Sequence, residues 1–389
     1  MLVEVVVGAL TLLAPSVAGA LIVDTDADVD DLGAIMFLLA KRKNLVAITV
    51  AGNGWSNQFA GAINVQRITQ LARCAQIAVS YGEAPYTVLS TEGFDGQHAK
   101  NIPPQQFLSG LDRKLTPNCS GGLSWPYRPS FSYPFGAARL IVDTIMKARP
   151  GTVDFLELGT FTNLARAFAL EPHIVSQIRA IYVSGGHVHL GKDAVSVDAD
   201  SSAPGFYTFD TEPRDAGGQN FFNDAIAAHN VLAAIQQCQA AMRSGWVHSC
   251  PEVRLMLSST QDLLPASTPM QVVQLCSTCT GAFAARVRTY FEHLPDCSNE
   301  SIDAFRYWDE SAALMAITPH GTSSFCTEWI QESVVVQLAS GPYYSSLVRP
   351  PSQEEGVLVN VCTNANFSTF LDAFWEPFRR NEMPACRSE

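Results

Sequence analysis

The chain has 389 residues, 47% of them hydrophobic, and a formal net charge of -12. A chain of this length and apolar content can bury a large core, which excludes a disordered protein. Its acidity, with no Lys/Arg cluster to release counterions from phosphates, argues against a nucleic-acid partner.

The first twenty residues, MLVEVVVGALTLLAPSVAGA, run through an apolar stretch from Val5 to Ala14 and Pro15 to the small residues Ala18-Gly19-Ala20. That is the pattern of a secretory leader with an A-x-A cleavage site, although its start carries Glu4 and no Lys or Arg. The expectation is a signal peptide over residues 1–20 and a single domain over 21–389 of a secreted, extracellular protein. Three Asn-x-Ser triplets, at Asn118, Asn299 and Asn366, fit the glycoprotein acceptor pattern. The ten cysteines form an even set, read as mostly disulfide-bonded; Cys276-Ser277-Thr278-Cys279 has no second pair to complete a zinc site. After the leader no apolar run reaches the roughly 18 residues that span a bilayer.

Strand and helix signals then alternate. ALIVD (20–24) is a short apolar run, and Leu32, Ile35, Met36 and Leu39 recur at helical spacing. LVAITVAG (45–52) returns to a strand, INVQRITQLAR (63–73) to a helix, and AQIAVSYG (75–82) to a strand. The succession continues with a helix in AARLIVDTIMKARPG (137–151), a strand in VDFLELG (153–159), helices in NLARAFALEPHIVSQI (163–178) and a strand in AIYVSGG (180–186). Such alternation predicts an α/β fold with an open, mostly parallel sheet flanked by helices, a Rossmann-like core. From about 190 to 330 the pattern is less regular and reads as an insertion-rich region near the site.

In a sheet of this kind ligands bind beyond the carboxyl ends of the strands. The segments at those ends are Asp24 to Asp31, Gly52-Asn53, Leu158 to Asn163 and Ser184-Gly185-Gly186. The first packs five aspartates into eight residues between two buried elements, so something cationic must offset their repulsion. An EF-hand loop does not fit, because counting from Asp24 its sixth and twelfth positions are Val29 and Ile35. A haloacid dehalogenase-type D-x-D accounts for Asp24 and Asp26 but not for Asp30-Asp31.

DTDADVDD (24–31) resembles the D-x-D-x-G-x-D-D signature of the nucleoside hydrolase family. The likeness extends through AITVAGN, LGTFTNLARAFALEPHIVSQIRAIYVSGG, GGQNFFNDAIAAHNVL and YWDESAALMA, in the family's order, over roughly residues 21 to 320. It implies a calcium-dependent hydrolase that splits a ribonucleoside into free base and ribose, with Ca2+ as cofactor and a small nucleoside as substrate. It leaves a homo-oligomer open.

Carried over position by position, the resemblance implies that Asp26 binds calcium and acts as general base on the attacking water. Asp31 and Asp309 would chelate the ion with the backbone carbonyl of Leu158. Asp30, Asn53 and Asn220 would hold the ribose hydroxyls, with Asp309 beside them, and Asp24 would order the loop. The chemistry asks for such groups, since a ribosyl cation is stabilised by carboxylates. Three departures stand out. Asp28 replaces a Gly; Gly218 stands where the family places a Glu at the ribose 5′ end, with Glu212 and Asp215 as nearby substitutes; and Trp308 precedes Asp309 where many members have a His acid. Tyr307-Trp308-Asp309 resembles the purine-preferring branch, in which Trp stacks on the base, so Trp308 is expected to assist departure of a purine. Trp55 is a second candidate to face the base, and His187, His189 and His293 are candidate acids. The alternative reading, motivated by Gly218, is a secreted non-catalytic relative that binds ribose or nucleoside.

Overall fold

Alternating strands and helices build one sheet because each strand carries apolar residues on both faces. In β1 (Ala20–Thr25), Leu21 and Val23 point into one core while Ala20 and Ile22 point into the other. A computed structural model describes residues 19–41, 44–54, 58–82, 131, 136–189, 218–264, 266–297, 305–318, 325–338, 345–381, 383, 384 and 386. The remaining strands are β2 (Leu45–Val50), β3 (Ala78–Tyr81), β4 (Val153–Glu157), β5 (Ile178–Ser184), β6 (Val188–His189), β7 (Glu252–Met256), β8 (Cys326–Val336), β9 (Leu347–Val348) and β10 (Val357–Ala365). They pair in the order β3-β2-β1-β4-β5-β7-β10-β8-β9-β6. From β3 through β10 every neighbouring pair is parallel, and β8 then pairs antiparallel with both β10 and β9. The open, mostly parallel sheet expected from the sequence is therefore present.

One face is covered by the helices Val29–Ala40, Gln58–Leu71, Ala282–Cys297, Trp308–Ile317 and Phe367–Arg379, the other by Ala137–Lys147, Thr162–Leu170 and Ala225–Arg243. On the first face Phe291 packs against Phe305, Tyr307, Phe374 and Trp375, with ring centroids 4.8 to 6.1 Å apart, and this aromatic block backs the helix that begins at Trp308. Such contacts add roughly 0.5–1.5 kcal/mol each beyond area burial, so the start of that helix is held firmly.

The structure differs from the sequence reading in two places. The described residues between 218 and 318 are more regular than expected: they hold β7 and six helices, the longest being Ala225–Arg243 and Ala282–Cys297. β7 escapes notice because Glu252 and Arg254 interrupt its apolar run; Arg254 is nonetheless buried, lying 5.5 Å over the ring of Tyr182 and bonded to Glu252. Second, β1 starts at Ala20, one residue inside the expected leader, with Ala20 opposite Val153 and the Leu21 amide donating to the Asn44 carbonyl at 2.8 Å.

Among the described residues four disulfides join Cys74 to Cys386, Cys238 to Cys250, Cys276 to Cys279 and Cys326 to Cys362. The C-x-x-C is thus a buried cross-link. Of the three Asn-x-Ser triplets, Asn366 is exposed and caps the helix Phe367–Arg379 by accepting from the Thr369 amide at 3.1 Å; Asn118 and Asn299 lie outside the described residues. No helix among the described residues is long and apolar enough to cross a membrane.

Candidate active site

The loop after β1 turns sharply because Ala27 adopts a left-handed backbone, with φ of 57°. A non-glycine residue there costs on the order of 1 kcal/mol, and the surroundings hold it in place. The Ala27 amide donates to Thr25 Oγ1 at 2.9 Å, and Thr25 Oγ1 donates in turn to Asp31 Oδ1. Asp28, the extra charge in the loop, is the N-cap of the helix Val29–Ala40 and forms a reciprocal box with Asp31, whose Oδ2 accepts from the Asp28 amide at 3.2 Å. Its carboxylate is committed to the positive end of that helix.

Asp30 and Asp31 occupy the first turn of this helix, and Asp309 occupies the first turn of the helix Trp308–Ile317. All three are buried, with one oxygen from each lying within 4.8 Å of the others. At an effective dielectric of about 20, each ionised pair at that separation repels by roughly 3 kcal/mol. No ion pair among the described residues involves any of the three. Burial, then Asp309, pushes the pKa of Asp30 and of Asp31 well above the carboxylate range, and burial lifts Asp309 to about 7. Either protons or a cation must neutralise the group, and a donor set made only of oxygens suits a hard divalent cation.

Asp26 stands beside this cluster. Its amide donates to Asp31 Oδ1 at 3.2 Å, and its charge raises Asp24, Asp30, Asp31 and Asp309. Its side chain fills the space that a residue other than glycine would take at Gly54, where an added Cβ would fall 2.0 Å from the Asp26 Cβ. The three-carboxylate group thus contains Asp30, expected as a ribose ligand, with Asp26 adjoining it.

The other expected residues gather on the same rim. The Leu158 carbonyl accepts from Asn220 Nδ2 at 2.6 Å, and the same amide reaches the Ser184 carbonyl at 3.2 Å. Asn220 therefore bridges the ends of β4 and β5 and leaves its own oxygen as the atom to meet a ligand. Asn53 Oδ1 accepts from Thr160 Oγ1 at 2.6 Å, while Thr162 Oγ1, 3.1 Å away, is bonded more closely to Asp224 at 2.6 Å. These contacts orient the Asn53 amide. Asp24 Oδ1 accepts from Thr49 at 2.6 Å and Asn163 at 2.8 Å, tying β1 to β2 and to the helix Thr162–Leu170.

Trp308 is 36% exposed, which rules out simple core filling, and its Nε1 donates to Asp262 Oδ1 at 3.1 Å. Gly218 has φ of 75°, and a Cβ there would lie 2.8 Å from Ser258 Oγ and 3.1 Å from the Gly186 amide. A side chain at this position would strain the backbone and crowd Ser258 and Gly186. Glu212, Asp215 and Trp55 lie outside the described residues, as does the side chain of His293. Burial, then His189, lowers the pKa of His187 to about 4, which disfavours the imidazolium form that would act as an acid toward a leaving group at neutral pH.

Sequence reasoning missed two buried acids. Glu157 lies opposite Asp24 in the β1–β4 register, and neither of its oxygens has a hydrogen-bond partner. Two facing carboxyls in a dry interior disfavour each other's charge, and Glu157 is raised well above its ordinary value by burial and then by Asp24. Glu310, also without a partner, fits against Gly33, whose added Cβ would fall 2.2 Å from Glu310 Oε1. The sequence signal for Glu157 is an acid inside the apolar run VDFLELG; for Glu310 it is a second acid in the first turn of a helix.

Comparison with known proteins gives the same architecture. The inosine-uridine preferring nucleoside hydrolase family profile matches residues 21–372. Nucleoside hydrolase 3 of Arabidopsis thaliana is 30% identical over 228 residues, covering 52% of this chain and 25% of that protein. The inosine-uridine preferring nucleoside hydrolase of Leishmania major is 28% identical over 176 residues, covering 44% of this chain and 49% of its own length. The matched region thus spans a quarter to a half of these relatives. Among solved structures, a purine-preferring ribonucleoside hydrolase from Gardnerella vaginalis shares the fold with a TM-score of 0.63 at 18% identity, covering 93% of this chain and 98% of the other. A plant nucleoside hydrolase has a TM-score of 0.63 at 16% identity, with 93% and 99% covered.

Proposed function

Because the chain belongs to the inosine-uridine preferring nucleoside hydrolase family, we propose that it hydrolyses the N-glycosidic bond of ribonucleosides, purine nucleosides foremost, with calcium as its metal. The observation that carries this reading is the buried group Asp30, Asp31 and Asp309, which has no ion-pair partner among the described residues and lies under the rim bearing Asn53, Asn220 and Trp308. Asp31 and Asp309, with Asp26 and the Leu158 carbonyl, would hold the ion. When bound, calcium supplies Lewis acidity toward an attacking water and the ribose hydroxyls.

The chain's own residues do the rest. Asp26 takes one proton from water as the oxygen bonds to the anomeric carbon, and the C–N bond breaks with its electron pair going to the base. Asp30, Asn53 and Asn220 grip the ribose hydroxyls, and the surrounding carboxylates stabilise the ribosyl cation that develops. Trp308, exposed at the mouth and oriented by Asp262, offers a flat face to a purine. With the imidazolium form of His187 disfavoured, the departing base draws its proton from solvent in this reading.

We further propose that the protein is exported: the leader-like start supports this, as do the cross-links Cys74–Cys386, Cys238–Cys250, Cys276–Cys279 and Cys326–Cys362. Release of ribose as reducing sugar, measured on a panel of purine and pyrimidine nucleosides in calcium and in chelator, tests the activity. Ribose or nucleoside binding without turnover would favour the non-catalytic alternative.

A further inference from the structure

Gln261 is buried in the short helix Ser258–Asp262 that follows β7, and its side chain reaches two residues that bear on the site. Its Nε2 lies 2.8 Å from Ser184 Oγ and 2.8 Å from the Trp308 carbonyl. A side-chain amide nitrogen has two hydrogens, so both donors are spent on these partners. Ser311 Oγ, at 3.4 Å, is a weaker contact, and it directs its own proton to the Trp308 carbonyl at 2.6 Å.

This fixes a polarity. The Ser184 hydroxyl accepts from Gln261, so its single proton is left for another acceptor, and the group it faces is the Asp309 carboxylate. The second Gln261 donor holds the carbonyl of the residue immediately before Asp309. One amide thus grips the Trp308-Asp309 pair twice, once through the backbone and once through a hydroxyl.

We propose that Gln261 is a positioning residue: through Ser184 and the Trp308 carbonyl it sets the Asp309 carboxylate for the cation. This rests on the calcium reading given above. Groups that orient a metal ligand through such a relay typically change metal affinity by roughly 10- to 100-fold when removed.

The test is calcium titration calorimetry on the full chain. Gln261→Met keeps the length of the side chain and removes both donors; it should weaken calcium binding by roughly 10-fold or more while circular dichroism stays that of the parent. Ser184→Ala, a smaller change that cuts the same relay, should weaken calcium too, and the double variant should bind calcium no worse than the weaker single one, because both changes break one chain. If Gln261→Met does not fold, Ser184→Ala and Gln261→Glu, which replaces the donating nitrogen by an acceptor, carry the same titration. Calcium affinity within about twofold of the parent in the folded variants, or fully additive losses, would overturn the positioning role alone. A parent protein that binds no calcium would overturn the metal reading together with it.

Discussion

Stripping calcium with a chelator and raising the pH from about 4.5 to about 7.5 should destabilise the protein, and calcium should reverse the trend. Burial is the main cause that lifts Asp309 from 3.8 to about 7, and Asp30 and Asp31 move the same way. A carboxyl whose pKa is higher folded than unfolded binds its proton more tightly in the fold. The stability it contributes is complete below the unfolded value and is lost as the pH rises through the folded one. Each pH unit between the two values is worth about 1.4 kcal/mol, so the gap at Asp309 amounts to roughly 4 kcal/mol. Over 389 residues that corresponds to a fall of roughly 5 °C in Tm. Calcium requires ionised carboxylates, so its binding releases protons and strengthens as the pH rises. Differential scanning calorimetry in chelator and in calcium, across this range, should show curves that diverge toward neutral pH. A chelated protein whose Tm is flat or climbs between about pH 4.5 and 7.5 would refute the reasoning, as would calcium protecting equally at both ends.

Three further outcomes are expected. Asp31→Asn should lose both calcium, read by elemental analysis, and turnover by roughly 10-fold or more, while Asp26→Asn should lose turnover with calcium retained at reduced affinity; a fully active Asp31→Asn protein would sink the metal mechanism. Trp308→Ala should lower kcat on inosine by roughly 10-fold with calcium affinity unchanged, and inosine, adenosine or guanosine should outpace uridine and cytidine in steady-state kinetics; uridine as the best substrate would end the purine assignment. N-terminal sequencing of exported protein should find Gly19 first. Cleavage after Ala20 would put a new ammonium on Leu21, which is fully buried in β1, whereas a cut after Ala18 leaves Ser16 and Ala18 as the small residues of the cleavage pattern and spares the strand. An intact Met1 would remove the leader from the account.

Much of the fold and the site is legible in the sequence, for reasons that are local. Asp24 to Asp31 follow a short apolar strand and open a helix, so their clustering is visible without tertiary knowledge, and Asp309 declares itself at another helix start. What cannot be read is which oxygens meet. Asp30 joins Asp31 and Asp309 within 4.8 Å because two helix first turns converge, a relation between elements far apart in the chain. For the same reason Gln261 looks like an ordinary polar residue until its amide is seen between Ser184 and Trp308. Glu157 and Glu310 resemble solvated acids in sequence, and their burial shows only in the fold, where Glu157 lies opposite Asp24 and Glu310 fits against Gly33. β7 was obscured by Arg254, whose charge is offset by Glu252 and the Tyr182 ring, partners that only the folded sheet supplies.

The position of β10 between β7 and β8 dictates an order of assembly. During synthesis, a chain that has grown as far as Asp309 already contains every acid of the site, yet its sheet ends in the unpaired edge of β7. Only when Val357–Ala365 arrives can β8, β9 and β6 join the rest by hydrogen bonds. The bond from Cys74 to Cys386, 312 residues apart, closes later still. Exposed edges of this kind invite pairing with other chains, and contacts this distant in sequence form slowly. The nascent protein therefore passes through a stage in which its most vulnerable surface is displayed longest, and its yield should depend on chaperoning and on an oxidising environment during the interval before the last strand docks.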